Sequence, residues 1–112
     1  MTISTHVLDT SAGRPAAGVS VRLQQQSGAT WTDLFAGVTD RDGRVPSLLP
    51  ASASAAAGGY RLTFDVGDYF RGRGLESFYE RVSIDFVVRD TTAHYHVPLL
   101  LSPYGYSTYR GS

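Results

Sequence analysis

The clearest strand signal in the chain is Val82-Ser83-Ile84-Asp85-Phe86-Val87-Val88. Its apolar side chains at positions 82, 84, 86 and 88 alternate with Ser83 and Asp85. Successive side chains of a β-strand point to opposite faces, so this spacing predicts a strand with one face toward a core. A strand of this kind belongs to a sheet that is buried on one side and polar on the other.

Similar alternation recurs before and after this strand, in short runs separated by Gly, Pro, Asp and Ser. The further predicted strands are Ile3–Asp9, Val19–Gln24, Trp31–Val38, Tyr60–Val66, His94–Leu101 and Tyr106–Arg110. Roughly seven or eight short strands at such intervals are typical of a β-sandwich. The sequence therefore predicts an all-β sandwich in which residues 1–112 form a single domain.

Two stretches do not fit strands. Asp68–Gly74 contains arginines and two glycines, so we expect at most a short helix there. Pro46–Gly59 is rich in Ala, Ser and Gly, and it is predicted to be a loop or one weak helical turn. Its low-complexity part, Ala51–Gly59, carries no recognisable chemistry.

Composition excludes several classes of function. The chain has 10 basic and 10 acidic residues and no cysteine. Balanced charge gives no long-range attraction to nucleic acid or to anionic lipid, and the absence of cysteine excludes disulfides and thiolate sites. We find no stretch apolar enough to span a membrane and no secretory signal, so the expected protein is soluble and cytoplasmic.

The predicted strands place the three histidines outside the core. The large aliphatic residues of the first and penultimate strands alternate with His6, His94 and His96, which therefore face away from the sandwich interior. By the same alternation, Ser107 and Tyr109 share one face of the last strand. Histidine side chains on an outer face are most often surface residues without a role.

Two functional interpretations compete with that one. His94 and His96 with His6 as a third ligand resemble a three-histidine zinc pattern, although no carboxylate is obviously placed to orient the ligands. Alternatively, a neutral imidazole takes a proton from water while a fixed arginine holds a planar, carbonyl-rich substrate. Arg44, directly after the Asp42-Gly43 turn, is the candidate arginine.

Four segments in a fixed order narrow these alternatives. They are Ser4–Asp9, Thr39–Arg44, His94–Leu100 and the terminal Tyr106–Ser112. Together they resemble the 5-hydroxyisourate hydrolases, the transthyretin-like enzymes of urate breakdown, from the first strand to the last residue. The terminal Tyr-Arg-Gly-Ser is the specific mark of that family, and transthyretin itself lacks it.

The resemblance implies a transthyretin-type sandwich of two four-stranded sheets with one short helix. It also implies a homotetramer, a dimer of dimers, with active sites at the dimer–dimer interface. The implied reaction is hydrolysis of 5-hydroxyisourate to 2-oxo-4-hydroxy-4-carboxy-5-ureidoimidazoline, a cyclic amide hydrolysis that needs no cofactor and no metal.

Matched position by position, the resemblance implies a catalytic set of His6, Arg44, His96 and Ser112. It assigns substrate binding to His6, Arg44 and Tyr109, and it selects His96 rather than His94 as the second catalytic histidine. It leaves open which histidine is the general base and whether Arg110 is a catalytic or a structural residue. The rival functions are a transthyretin-like carrier of small aromatic ligands and a plain β-sandwich interaction module.

Overall fold

The computed structural model describes residues 1–50 and 56–112 and contains two packed β-sheets with one short helix. Its strands are β1 (Thr2–Asp9), β2 (Arg14–Pro15), β3 (Ser20–Ser27), β4 (Thr30–Val38), β5 (Arg44–Val45), β6 (Gly58–Phe64), β7 (Val82–Val88), β8 (His94–Ser102) and β9 (Gly105–Thr108). The helix α1 spans Val66–Gly72. The predicted sandwich of two β-sheets with one short helix is confirmed.

The first sheet carries the site described below. Its order is β2-β1-β8-β9, and β5 pairs with β1 on the same side as β2, so this sheet has five strands in place of the four expected. The second sheet has the order β4-β3-β6-β7. β1 and β8 run parallel, whereas β2 and β5 meet β1 in antiparallel pairs.

The core lies between the inner faces of the two sheets. Alternate residues along β1, β3, β6 and β8 are fully buried there, and they include Ile3, Leu23, Leu62, Phe64 and Leu99. Each buried side chain of this size contributes about 1.5–3 kcal/mol relative to exposure. This alternation fixes the direction of the polar residues between them, because a shift of one position would invert both faces.

Several element boundaries differ from the sequence prediction by one to three residues, and three of them bear on the packing or on the site. Val66 starts α1 and does not end the preceding strand, since Val66 and Phe70 lie one turn apart and are both buried. The same strand begins earlier than expected, at Gly58, where Gly59 lies against the side chain of Gln26. The predicted loop or helical turn at Pro46–Gly59 falls in part on residues 51–55, which lie outside the described residues.

The third difference concerns the last strand, which ends at Thr108 and does not continue to Arg110. β9 pairs Leu99 with Thr108, so Pro98 would face Tyr109 in the next pair. Proline has no N–H to donate to such a pair. The Pro98 carbonyl instead accepts a hydrogen bond from Thr108 Oγ1 at 2.7 Å, and pairing with β8 returns only at an isolated bridge between Gly111 and His96.

Candidate active site

The outer face of the first sheet gathers the histidines around β1. His6 lies opposite Arg44 of β5 on one side and opposite Pro98 of β8 on the other. Ser4 pairs with His96, and Thr2 pairs with His94. Because paired residues project to the same side of a sheet, these residues form one surface. We call it the histidine face, and it consists of Thr2, Ser4, His6, Arg44, His94 and His96.

A tight turn places Arg44 beside His6. The Asp40 carboxylate accepts hydrogen bonds from the backbone N–H of Asp42 at 2.9 Å and of Arg44 at 3.0 Å. Gly43 has a φ of +74°, and a side chain there would collide with the backbone carbonyl of Val7. The Val7 N–H donates to the Gly43 carbonyl at 2.7 Å, which ties the turn to β1. The Asp42-Gly43-Arg44 turn thus holds Arg44 in place beside His6.

His6 has a defined proton position. Its Nε2 lies 3.0 Å from the carbonyl oxygen of Asp42. A carbonyl oxygen only accepts, so Nε2 carries the proton of this hydrogen bond. In the neutral ring, Nδ1 of His6 therefore holds the lone pair and is the nitrogen that can accept a proton.

His96 is half-buried, and its Nδ1 lies 2.8 Å from Ser4 Oγ. Burial lowers the pKa of His96 below its ordinary value, and the positive charges of Arg44, His94 and His6 lower that pKa further. A lowered pKa keeps the imidazole neutral near pH 7, and only a neutral imidazole can act as a base. The residues around His96 thus favour its neutral form, which is the form that can accept a proton.

Arg44 is exposed, and no carboxylate of the described residues lies within ion-pair distance of it. An arginine without an acidic partner keeps its planar fork of N–H donors available for a ligand. The structure therefore brings His6, Arg44 and His96 together with an open set of donors and acceptors.

The terminal segment packs against His96. The Gly111 N–H donates to the His96 carbonyl at 2.8 Å, and a Cβ atom on Gly111 would lie 2.6 Å from His96 Cδ2. The Arg110 guanidinium lies over the Tyr95 ring at 4.6 Å, which supports a structural contact. Ser112 follows directly and is exposed. Only glycine leaves room here for the imidazole of His96.

Tyr109 lies one residue beyond the end of β9, whose Ser107 pairs with Leu100 on the outer side of the sheet. It is exposed, and it is one of the residues around a cavity of about 300 Å³ that Phe86 and Val97 also line. That Tyr109 shares a face with Ser107 stays a prediction.

The zinc interpretation gains no support from the geometry. Within residues 1–50 and 56–112, no three side chains of His, Cys, Asp or Glu converge on a point where they could hold a metal ion. In the same described part of the chain, no helix is long and apolar enough to cross a membrane.

Ser4 is a site residue that the sequence interpretation missed. It lies two positions before His6 on β1, so alternation alone places it on the same face. Its hydroxyl approaches both His94 and His96, at 3.4 Å from Nε2 and 2.8 Å from Nδ1 respectively. The sequence signal was present, but the pairing of β1 with β8 was needed to interpret it.

Comparison with known proteins gives a consistent result. The family model described as HIUase/Transthyretin matches residues 3–111. A 5-hydroxyisourate hydrolase of Salmonella typhi is 50% identical over 110 residues, which cover 98% of this chain and 80% of that relative.

Two solved structures of the same family resemble this chain over nearly its whole length. The 5-hydroxyisourate hydrolase of Klebsiella pneumoniae superimposes with a TM-score of 0.84 at 43% identity, covering 99% of this chain and 93% of the other. Sea bream transthyretin in complex with thyroxine gives a TM-score of 0.91 at 31% identity, with 99% and 95% coverage.

Proposed function

This chain belongs to the HIUase/transthyretin family, and we propose that it hydrolyses 5-hydroxyisourate. The proposed product is 2-oxo-4-hydroxy-4-carboxy-5-ureidoimidazoline. Relatives at about half identity over nearly the whole chain carry the name of this hydrolase. The single observation that carries the proposal is the meeting of His6, Arg44 and His96 on one sheet face, with no acidic partner for Arg44 among the described residues.

In the proposed mechanism, a water molecule lies between His6 and His96. One imidazole removes a proton from the water as its oxygen forms a bond to a ring carbonyl carbon of the substrate. The C–N bond of the ring then breaks, and the proton passes to the departing nitrogen. General-base assistance of this kind accelerates a reaction by about 10²–10⁴-fold. Nδ1 of His6 is one candidate base, because its Nε2 already donates to Asp42, and His96 is the other.

Arg44 binds and orients the substrate in this proposal. The substrate is planar and rich in carbonyl groups, which suits the paired N–H donors of a guanidinium. As water adds, negative charge develops on the carbonyl oxygen, and a fixed positive group nearby stabilises it. The absence of a carboxylate partner for Arg44 among the described residues leaves its full charge for this task.

The terminal residues complete the proposed site. Ser112 holds a histidine or the water in place, supported by the contact of the adjacent Gly111 with His96. Tyr109 is exposed, lies two residues before Gly111 and contacts the substrate in this proposal. Arg110 stacks on Tyr95 and is assigned a structural role.

We propose a homotetramer, a dimer of dimers, with the histidine face at the dimer–dimer interface. Exposed aromatic residues support association, because large apolar surfaces are seldom left in water. They include Phe78, Tyr79, Tyr104 and Tyr106. Light scattering coupled to gel filtration tests this assembly, and a monomer at micromolar concentration contradicts it. The cytoplasm is the proposed compartment, in keeping with a chain that has no cysteine.

The decisive experiment follows the ultraviolet absorbance of freshly generated 5-hydroxyisourate with and without the purified protein. We expect decay much faster than the spontaneous reaction, and the same rate after treatment with a chelator. No acceleration would refute the hydrolase, whereas loss of activity with chelator and recovery with zinc would refute the metal-free mechanism.

A carrier of small aromatic ligands is the second candidate, supported by the likeness to sea bream transthyretin with thyroxine. A carrier has no need for His6, Arg44 and His96 together. Binding of an iodinated thyronine by calorimetry, combined with an unchanged rate of substrate decay, would favour the carrier over the hydrolase.

A further inference from the structure

Four polar groups form a continuous chain across β1 and β8, which we call the hydroxyl–histidine chain (Thr2, His94, Ser4 and His96). The Thr2 hydroxyl is hydrogen-bonded to His94 Nδ1. Ser4 Oγ lies 3.4 Å from His94 Nε2 and 2.8 Å from His96 Nδ1. The two imidazole rings are nearly parallel, with centroids 6.3 Å apart. No step of the proposed mechanism uses Thr2, Ser4 or His94.

The parallel register of the two strands produces this arrangement. Thr2 is opposite His94 and Ser4 is opposite His96, so hydroxyl and imidazole groups alternate along the surface. Ser4 is the buried member, with 7% of its surface exposed. Its hydroxyl therefore depends on the two histidines for hydrogen bonds, and water competes little for it.

The hydroxyl–histidine chain has two self-consistent proton directions. A neutral imidazole carries one N–H donor and one lone pair, and a hydroxyl donates only one proton. In one direction, His96 Nδ1–H donates to Ser4, Ser4 donates to His94 Nε2, and His94 Nδ1–H donates to Thr2. In the other direction, Thr2 donates to His94 Nδ1, His94 Nε2–H donates to Ser4, and Ser4 donates to His96 Nδ1. His96 then carries its proton on Nε2.

The direction of the hydrogen bonds decides whether Nε2 of His96 can accept a proton. With the proton on Nδ1, the Nε2 lone pair is free to take a proton from water. With the proton on Nε2, the ring can only donate a hydrogen bond at that position. Burial and the positive charge of Arg44 lower the pKa of the same imidazole and keep it neutral, whichever nitrogen carries the proton. Nδ1 faces Ser4 in both directions, so Nε2 is the nitrogen left for a water molecule.

We propose that Ser4 is a positioning residue that, together with His94, holds the His96 proton on Nδ1 and so keeps Nε2 free to act as the base. This inference rests on the proposed function for its catalytic meaning. When Nε2 takes the proton from water, the Nδ1–H remains donated to Ser4, and the hydrogen bond strengthens because its donor is now cationic. The proton later returns from Nε2 to the departing nitrogen, so the network ends as it began.

The test is the tautomer of His96, measured by long-range ¹H–¹⁵N NMR of the ring nitrogens in the wild-type protein and in Ser4→Ala. We expect the Nδ1–H form in the wild type and predominantly the Nε2–H form in Ser4→Ala, because free imidazole side chains prefer the latter. We further expect kcat to fall about tenfold in Ser4→Ala with KM nearly unchanged, the effect of losing one hydrogen bond.

Two matched variants separate positioning from general damage. Ser4→Thr keeps the hydroxyl and is expected to restore both the Nδ1–H form and most of kcat. Ser107→Ala removes a serine of the same sheet face for which the described residues provide no side-chain hydrogen-bond partner, and it is expected to change neither. An Nε2–H form in the wild type, or an unchanged tautomer in Ser4→Ala, overturns the proposal.

The outcome stays distinct from that of the hydrolase assay. If the wild type does not accelerate substrate decay but shows the expected tautomers, the proposed function fails and the positioning by Ser4 stands. If Ser4→Ala does not fold, the tautomers of the wild type and of Ser4→Thr still decide. Equal Nδ1–H populations in those two proteins support the proposal, and an Nε2–H form in either overturns it.

Discussion

The two sheets both carry charged side chains on their outer faces, but the charges have different partners. On the second sheet, Arg61 donates to Asp85 through two nitrogens, at 2.7 and 3.0 Å, and lies over the Trp31 ring at 4.1 Å. Gln24 donates to Asp33 beside them at 2.9 Å. We call this surface the Arg61 face. On the histidine face, Arg44 has no such carboxylate among the described residues.

The charge of Arg61 is neutralised by a neighbouring carboxylate, whereas the charge of Arg44 remains available for a ligand. The Arg61 hydrogen bonds lower the pKa of Asp85, so the pair is ionised and mutually neutralised at neutral pH. Exposed pairs of this kind contribute little to stability. On the histidine face, the positive Arg44 lies opposite His6 and has no carboxylate within ion-pair distance among the described residues, an arrangement that attracts an electron-rich ligand. Polar residues on the two outer faces thus differ in what they leave available for a ligand.

The largest expected effect comes from removing the arginine of each face. Arg44→Ala should lower kcat/KM for 5-hydroxyisourate by about 10²–10³-fold, the effect of losing a group that stabilises developing negative charge. Arg61→Ala, the matched control, should leave kcat/KM unchanged. Steady-state kinetics on both variants checks this comparison, and equal losses would mean that the two faces do not differ in function.

The next effect concerns the contact of the terminal segment with His96. Gly111→Ala should lower kcat by about tenfold, because the new methyl group displaces the imidazole and costs roughly one hydrogen bond of positioning. Gly105→Ala is the control, since the nearest atom to a Cβ there is Ser102 Oγ at 3.8 Å. Full activity of Gly111→Ala would show that His96 tolerates the shift.

A smaller effect is expected in the pH dependence. Burial and the charge of Arg44 lower the pKa of His96, so the acid limb of the pH–rate profile should lie below pH 6.5, the ordinary histidine value. Arg44→Gln should raise the pKa of His96, as followed by NMR titration. Because the folded pKa lies below the unfolded one, His96 costs stability as the pH falls from about 6.5 through the folded pKa. A pKa that does not rise in Arg44→Gln would contradict this.

The smallest effect is expected on the Arg61 face. Asp85→Asn should lower the thermal midpoint at pH 7 by no more than a few degrees and leave kcat unchanged. The folded pKa of Asp85 is depressed, so its contribution is present above its unfolded pKa and is lost as the pH falls through the folded one. The difference from wild type in thermal melts should therefore disappear in acid. A loss of activity in this variant would contradict the separation of the two faces.

Alternation predicted most of the fold and half of the candidate site. It placed His6 and His96 outside the core, because Ile3, Val7 and Leu99 alternate with polar positions in long, regular strands. Nothing local could predict that Arg44 lies opposite His6, since that contact depends on a two-residue strand and a turn held by Asp40. Long-range pairing of such short pieces leaves no periodic signal in the sequence.

The end of the chain shows a second limit. Alternation was extended through Tyr109, but Pro98 on the neighbouring strand lacks the N–H that the next pair would need. The proline lies in β8, whereas the strand that it shortens is β9. The sequence pattern of β9 alone therefore cannot reveal where β9 ends. For the same reason the role of Ser4 became visible only with its partner His96 in place.

The parallel pairing of β1 with β8 also has a consequence for biosynthesis. Thr2 and His94 are separated by 92 residues, so this contact closes one of the longest loops in the chain, and such contacts slow folding. On the ribosome, β5 emerges long before β8, which allows Arg44 to reach His6 early while the other edge of β1 remains unpaired. An unpaired edge is prone to aggregation. The nascent chain can therefore bring Arg44 beside His6 first, and His96 joins them only after β8 has left the exit tunnel.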